Sequence, residues 1–126
     1  MSSQPTIQEL DNVLLRLASR PTELKTRKEL DIVLATYPAV CLDVFAEWCP
    51  PCRKLAQVFE KWEKQYSKVR FVKINSDNKE MFDYTNEANI ENLPTVIVFK
   101  DRNVIAREQG FSPQMVSIVA KALDSF

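Results

Sequence analysis

Apolar residues first recur at helical spacing in Ile7, Leu10, Leu14 and Leu17, behind the capping-box pattern Thr6-Ile7-Gln8-Glu9. This helix is expected to end before Arg20-Pro21, because a residue preceding proline avoids helical backbone. Its apolar stripe is expected to dock on the rest of the chain. Beyond Pro21 the pattern alternates between strand and helix. Glu23-Leu24-Lys25 reads as a short strand, and Thr26-Arg27-Lys28-Glu29 as a second capping box opening a helix with Leu30, Val33, Leu34 and Tyr37 inward. The run from Val40 to Ala46 is apolar on both faces apart from Asp43, as in a central parallel strand. Pro50 opens a long helix that places Leu55, Val58, Phe59, Trp62 and Tyr66 on one side. Phe71-Val72-Lys73-Ile74 is the next strand, and Met81, Phe82 and Ala88 mark a shorter helix. Thr95 to Lys100 and Val104 to Glu108 are joined by Asp101-Arg102-Asn103, too short a link for a parallel crossover, so they form a hairpin. Ser112-Pro113 caps a last helix expected to bury Met115, Ile118, Val119 and Ala122.

The helical crossovers demand parallel strands and the hairpin an antiparallel pair. The fold class is therefore α/β: a mixed central sheet of about five strands flanked by helices on both faces, with an extra N-terminal helix. Residues 1–21 form the helical extension and 22–126 a single domain, as a chain of 126 residues allows. Seventeen basic residues balance seventeen acidic ones, so neither nucleic acid nor an acidic membrane surface is an expected partner. The absence of histidine removes Ser–His and Cys–His catalysis and histidine metal sites, and a single glycine, Gly110, removes the glycine-rich phosphate loops. Apolar runs such as Val96 to Phe99 are too short to span a bilayer. Three cysteines are too few for a secreted disulfide scaffold, so a cytoplasmic location is expected, with a mitochondrion or other organelle as the alternative. The chain is expected to be a monomer.

Cys49-Pro50-Pro51-Cys52 lies where a buried strand passes into a helix. Two thiols three apart at a helix start are within disulfide reach, and unpaired amides and the helix dipole there favour a thiolate, the nucleophilic form. A zinc half-site would need two further ligands; only Cys41 remains, in mid-strand, so no metal is expected. A redox dithiol is the preferred reading.

The stretch from Leu42 to Cys52, Leu-Asp-Val-Phe-Ala-Glu-Trp-Cys-Pro-Pro-Cys, resembles the active-site strand and loop of the thioredoxin family. Leu93-Pro94-Thr95 resembles that family's cis-proline loop, and Gly110 falls where the family keeps a glycine after its hairpin. The resemblance runs from about Glu23 to Phe126 and implies the thioredoxin fold, with the strands bearing Asp43 and Lys73 as neighbours. It also implies a dithiol carrier in which Cys49 attacks a client disulfide and Cys52 resolves the mixed disulfide, with the redox-active Cys49–Cys52 pair and no other cofactor. Disulfide-containing client proteins and a separate recycling reductase, such as a thioredoxin reductase, would be its partners. The sequence departs from the common family pattern at Pro50, in place of glycine, as in tryparedoxins, and at Phe45 and Gln57. It also lacks a turn glycine at Asp101-Arg102-Asn103, where Asn103 is expected to take the left-handed conformation.

Asp43 in an apolar strand is either paired with Lys73 or held with a raised pKa, from which it could take the proton of Cys52 during resolution; the two are compatible. Trp48, Leu93, Pro94 and Gly110 are expected around the thiols, with Trp48 partly exposed and the Leu93 backbone turned out to pair with an extended client segment. Pro50 and Pro51 form the active-site loop, and Cys41 is expected to be a small core residue. Two other readings stand beside the reductase: a disulfide oxidase or isomerase, and a binding module using the fold as a scaffold.

Overall fold

Hydrophobic alternation along the strands sorts the side chains into two layers, one on each side of a five-stranded sheet. The computed structural model describes residues 6–10 and 22–126. Its elements are β1 (Thr22–Glu23), α1 (Arg27–Thr36), β2 (Ala39–Phe45), α2 (Pro50–Gln65), β3 (Arg70–Asn75), a 3-10 turn (Lys79–Met81) running into α3 (Phe82–Glu87), β4 (Thr95–Lys100), β5 (Asn103–Gln109) and α4 (Pro113–Leu123). The strand order is β1-β3-β2-β4-β5, parallel across β1, β3 and β2 and antiparallel across β2, β4 and β5. This is the expected mixed sheet, and β2 lies at its centre.

In β2, Val40, Leu42 and Val44 join Leu30, Val33, Val72, Ile74, Met81 and Tyr84 in one layer. Ala39 and Cys41 point the other way, to Leu55, Phe59, Trp62, Phe71, Met115 and Val119 beneath α2 and α4. Asp43 has the parity of Cys41, so the same alternation that builds the core aims this acid at the α2 side of the sheet. Lys73 shares the parity of Phe71 and is paired in register with Asp43.

Local signals set the helix starts. Thr26 caps α1 by accepting from the Glu29 amide at 3.2 Å, while the Glu29 carboxylate accepts from the Lys25 amide at 2.6 Å. Ser112 caps α4 through the Met115 amide at 3.0 Å, with Pro113 in the first turn. Gln57 leaves α2 uninterrupted from Pro50 to Gln65.

Three expectations are corrected. The hairpin pairs Lys100 with Asn103, so its loop has two residues, Asp101 (φ 49°) and Arg102 (φ 71°), rather than three. This type of two-residue loop takes positive φ at both central positions, which leaves Asn103 in β5, its side-chain amide donating to the Asp101 carbonyl at 3.3 Å. In α4 the inward stripe is Met115, Val119 and Leu123, four apart, and Ile118 is 45% exposed. Ile7 does not join a docked stripe. It is 80% exposed, because Glu9, two positions on and therefore on another helix face, turns toward Lys28 at 2.8 Å. That contact holds the Glu9 carboxyl below its usual range, chiefly through the Lys28 hydrogen bond. Leu14, Leu17 and the expected helix end at Arg20-Pro21 lie outside the described residues.

β5 also carries a bulge: Ala106 opposes Val98 and Val104 opposes Phe99, with Ile105 as the extra residue.

Candidate active site

The dithiol sits where β2 gives way to α2. Cys49 is the N-cap of α2 and Pro50, Pro51 and Cys52 are its first helical residues, so two prolines occupy positions whose amides would have no helical partner. Cys49 and Cys52 form a disulfide. The Cys52 amide donates to the Cys49 sulfur at 3.3 Å, and the Cys52 and Arg53 amides reach the Cys49 carbonyl at 3.1 and 3.4 Å. Pro51 has no amide hydrogen, so the Cys49 sulfur receives its capping bond from Cys52. Both cysteines are buried and pack with Ala46 against Phe45 and Leu93.

Trp48 precedes them and is 65% exposed, its indole N–H donating to the Asp77 carboxylate at 2.9 Å. Asp77, in the turn after β3, has no signature in the sequence: a lone acid in a polar turn carries no periodic signal. On the far side, the Leu93–Pro94 peptide is cis, as expected. Gly110, at φ 84°, donates its amide to the Pro94 carbonyl at 2.7 Å, tying the end of β5 to the proline loop. Leu93 is thus against the thiols, Trp48 next to Cys49 in the chain and exposed, and Pro94 and Gly110 joined to each other.

Asp43 is 1% exposed, and its Oδ1 has no hydrogen-bond partner. Burial pushes its pKa up from 3.8 to about 7, against a smaller downward pull from the Lys73 charge. Among the described residues no ion pair within 4.0 Å joins the two; the Lys73 ammonium lies 5.4 Å from the Phe45 ring centre instead. Asp43, Lys73 and Cys52 line one open cleft of about 240 Å³ with Phe45, Ala46, Glu47, Arg53 and Ala56. Cys41 is a fully buried free thiol among Leu55, Phe59 and Phe71. Burial, and secondarily the Asp43 charge, push it well above the usual thiol range.

A disulfide at a helix start, with a cis-proline loop against it and a buried acid behind it, defines a thiol–disulfide oxidoreductase on a mixed α/β sheet. The comparisons agree. Residues 22–121 match the family model Thioredoxin. Thioredoxin-2 of Saccharomyces cerevisiae is 35% identical over 96 residues, covering 75% of this chain and 90% of that protein. Thioredoxin-1 of the same yeast is 32% identical over 95 residues with the same coverage. Among solved structures, Plasmodium falciparum thioredoxin superposes with a TM-score of 0.72 at 28% identity, covering 82% of this chain and 97% of that one. Oxidised mitochondrial thioredoxin 3 of Saccharomyces cerevisiae gives 0.74 at 26% identity, covering 83% and 94%. The chain belongs to the thioredoxin family. It is a thiol–disulfide oxidoreductase of the protein-disulfide reductase type, and the oxidase, isomerase and scaffold readings are not favoured. No helix among the described residues is long and apolar enough to cross a membrane.

Proposed function

We propose that Cys49 is the attacking thiolate, Cys52 the resolving thiol and Asp43 the group that takes the Cys52 proton. In the reduced protein the Cys49 thiolate attacks one sulfur of a client disulfide. The client S–S bond breaks, a Cys49–client disulfide forms, and the departing client sulfur takes a proton from water. Cys52 then gives its proton to Asp43 and attacks the Cys49 sulfur, expelling the second client thiolate and closing the Cys49–Cys52 disulfide. Two electrons pass to the client, and the proton held by Asp43 returns to solvent through the cleft. A separate reductase, of the thioredoxin-reductase kind, restores the dithiol.

The observation that carries this assignment is the cleft shared by Asp43 and Cys52. A pKa near 7 lets Asp43 be a base for one step and release the proton after it. The cleft, of about 240 Å³, has room for water. Lys73 limits the upward shift of Asp43, keeping a fraction ionised at neutral pH. The Leu93 backbone, with exposed Trp48 and the joined Pro94 and Gly110, is the surface on which an extended client segment pairs. The clients are disulfide-bearing proteins met in the cytoplasm or an organelle such as the mitochondrion, and residues 22–126 are the unit that does the work as a monomer.

Cys52→Ser tests the roles. The first attack survives and resolution is lost, so a stable mixed disulfide with insulin is expected on a non-reducing gel, while Cys49→Ser gives none. Adducts through Cys52 in the Cys49→Ser protein, with none through Cys49, would reverse the assignment.

A further inference from the structure

Between α3 and the cis Leu93–Pro94 peptide the chain runs through residues 88–92 without regular structure. This loop is pinned from one side by two side chains of β5. Arg107 donates from one guanidinium nitrogen to the carbonyls of Ala88 and Asn89, both at 2.7 Å. These are carbonyls at the end of α3, where Asn89 is left-handed with φ 52° and no further helical amide follows to meet them. Two residues along β5, and so on the same face, the Gln109 side-chain oxygen accepts from the amides of Glu91 and Asn92 at 3.0 and 2.8 Å. Thr95 then donates to the Asn92 carbonyl at 2.6 Å, and the Gly110 amide to the Pro94 carbonyl at 2.7 Å.

Leu93 is the residue left over. Among the described residues its backbone amide and carbonyl make no hydrogen bond, while its side chain rests on the Cys49–Cys52 cluster. The backbone on both sides is held and the segment between them is open. We propose that Arg107 and Gln109 are positioning residues for client binding: they splint the 88–92 loop so that the Leu93 backbone meets an extended client strand at the distance of the dithiol. Neither touches the thiols, and neither alters the thiol chemistry. They act by removing the ordering cost that a loose loop would add to every encounter with a client. This rests on the reading of Leu93 as the client's backbone partner.

The test compares two oxidants of the pre-reduced full chain. Insulin offers a peptide backbone to pair; hydroxyethyl disulfide offers none. Gln109→Leu and Arg107→Met, each assayed alone, are expected to raise the KM for insulin about fivefold, the scale of a hydrogen bond or two. The kcat, the reduction potential and the rate with hydroxyethyl disulfide should stay at parent values. Gln109→Glu, which keeps an oxygen acceptor for both amides, is expected to hold the insulin KM within about twofold of the parent. An unchanged insulin KM in both variants overturns the proposal, as does an equal fall in the rate with hydroxyethyl disulfide, which would mark a general structural defect. If one variant fails to fold, the other decides alone. A parent protein that is oxidised by hydroxyethyl disulfide but not by insulin removes the client-pairing reading and this inference with it.

Discussion

Burial of Asp43 makes the stability of the fold depend on a single proton. Below pH 3.8 folded and unfolded chains both hold that proton, and the acid costs nothing electrostatic. As pH rises toward 7 the unfolded chain releases it while the folded chain keeps it, so stability falls across that interval; above 7 the full cost persists. A displacement of about three pKa units corresponds to a cost on the order of a few kcal/mol. Asp43→Asn is therefore expected to raise the thermal midpoint above pH 7 and to lose that advantage as pH falls to 3.8. The same variant should slow resolution near neutrality, seen as a longer-lived mixed disulfide in rapid-quench experiments. An activity–pH profile that overlays the parent's would leave Asp43 with a structural role only. The acid was legible in the sequence because a charge inside an apolar strand breaks the pattern locally. Asp77, Arg107 and Gln109 were not. Each is an ordinary polar residue in a turn or on a partly exposed strand, and each acts on a partner between 17 and 29 residues away, a separation that no periodicity records.

At the scale of elements, the start of α2 and the β4–β5 hairpin give opposite lessons. The α2 cap could be read from four residues, since prolines at the first two positions leave Cys52 as the donor to Cys49. Pro50→Gly restores an amide that does not reach the sulfur. The pH midpoint of iodoacetamide alkylation in the reduced protein is thus expected to move by less than about one unit, while the reduction potential and client rates change more. The hairpin turn departs from expectation because it lacks the Asn-Gly or Asp-Gly pair that announces two residues with positive φ. Asp101 and Arg102 take that conformation regardless, since the pairing of Lys100 with Asn103 requires it. Left-handed backbone costs a residue with a Cβ roughly 1–2 kcal/mol, and glycine's extra freedom in the unfolded chain returns roughly half of that. Arg102→Gly is expected to stabilise the protein by about 0.5–1 kcal/mol, read as a higher urea midpoint with an unchanged slope. Ile118 departs from expectation for a related reason. Helical spacing alone admits either Ile118 or Val119 to the buried face, and packing over the sheet selects the Met115-Val119-Leu123 line.

For the molecule as a whole, the strand order, the cis-proline loop and the dithiol belong to the unit from Thr22 onward. Among the described residues, the segment ahead of it adds an exposed Glu9–Lys28 pair and an exposed Ile7. A chain of residues 22–126 is expected to reduce insulin at the parent rate, and the Glu9–Lys28 contact should weaken in high salt. Loss of activity on removing residues 1–21 would give the extension a part in the reaction.

The two outer strands of the sheet bear on a different property, the tendency to self-associate. A sheet that ends in a long, flat strand presents a row of unpaired amides and carbonyls on which another copy can template. Here one margin is β1, two residues long, and the other is β5, bent by the bulge at Ile105 and bearing Arg107 and Glu108 beyond it. Among the described residues neither margin offers a straight ladder of useful length. A sheet bounded in this way gives copies of the chain little open backbone on which to add strand to strand.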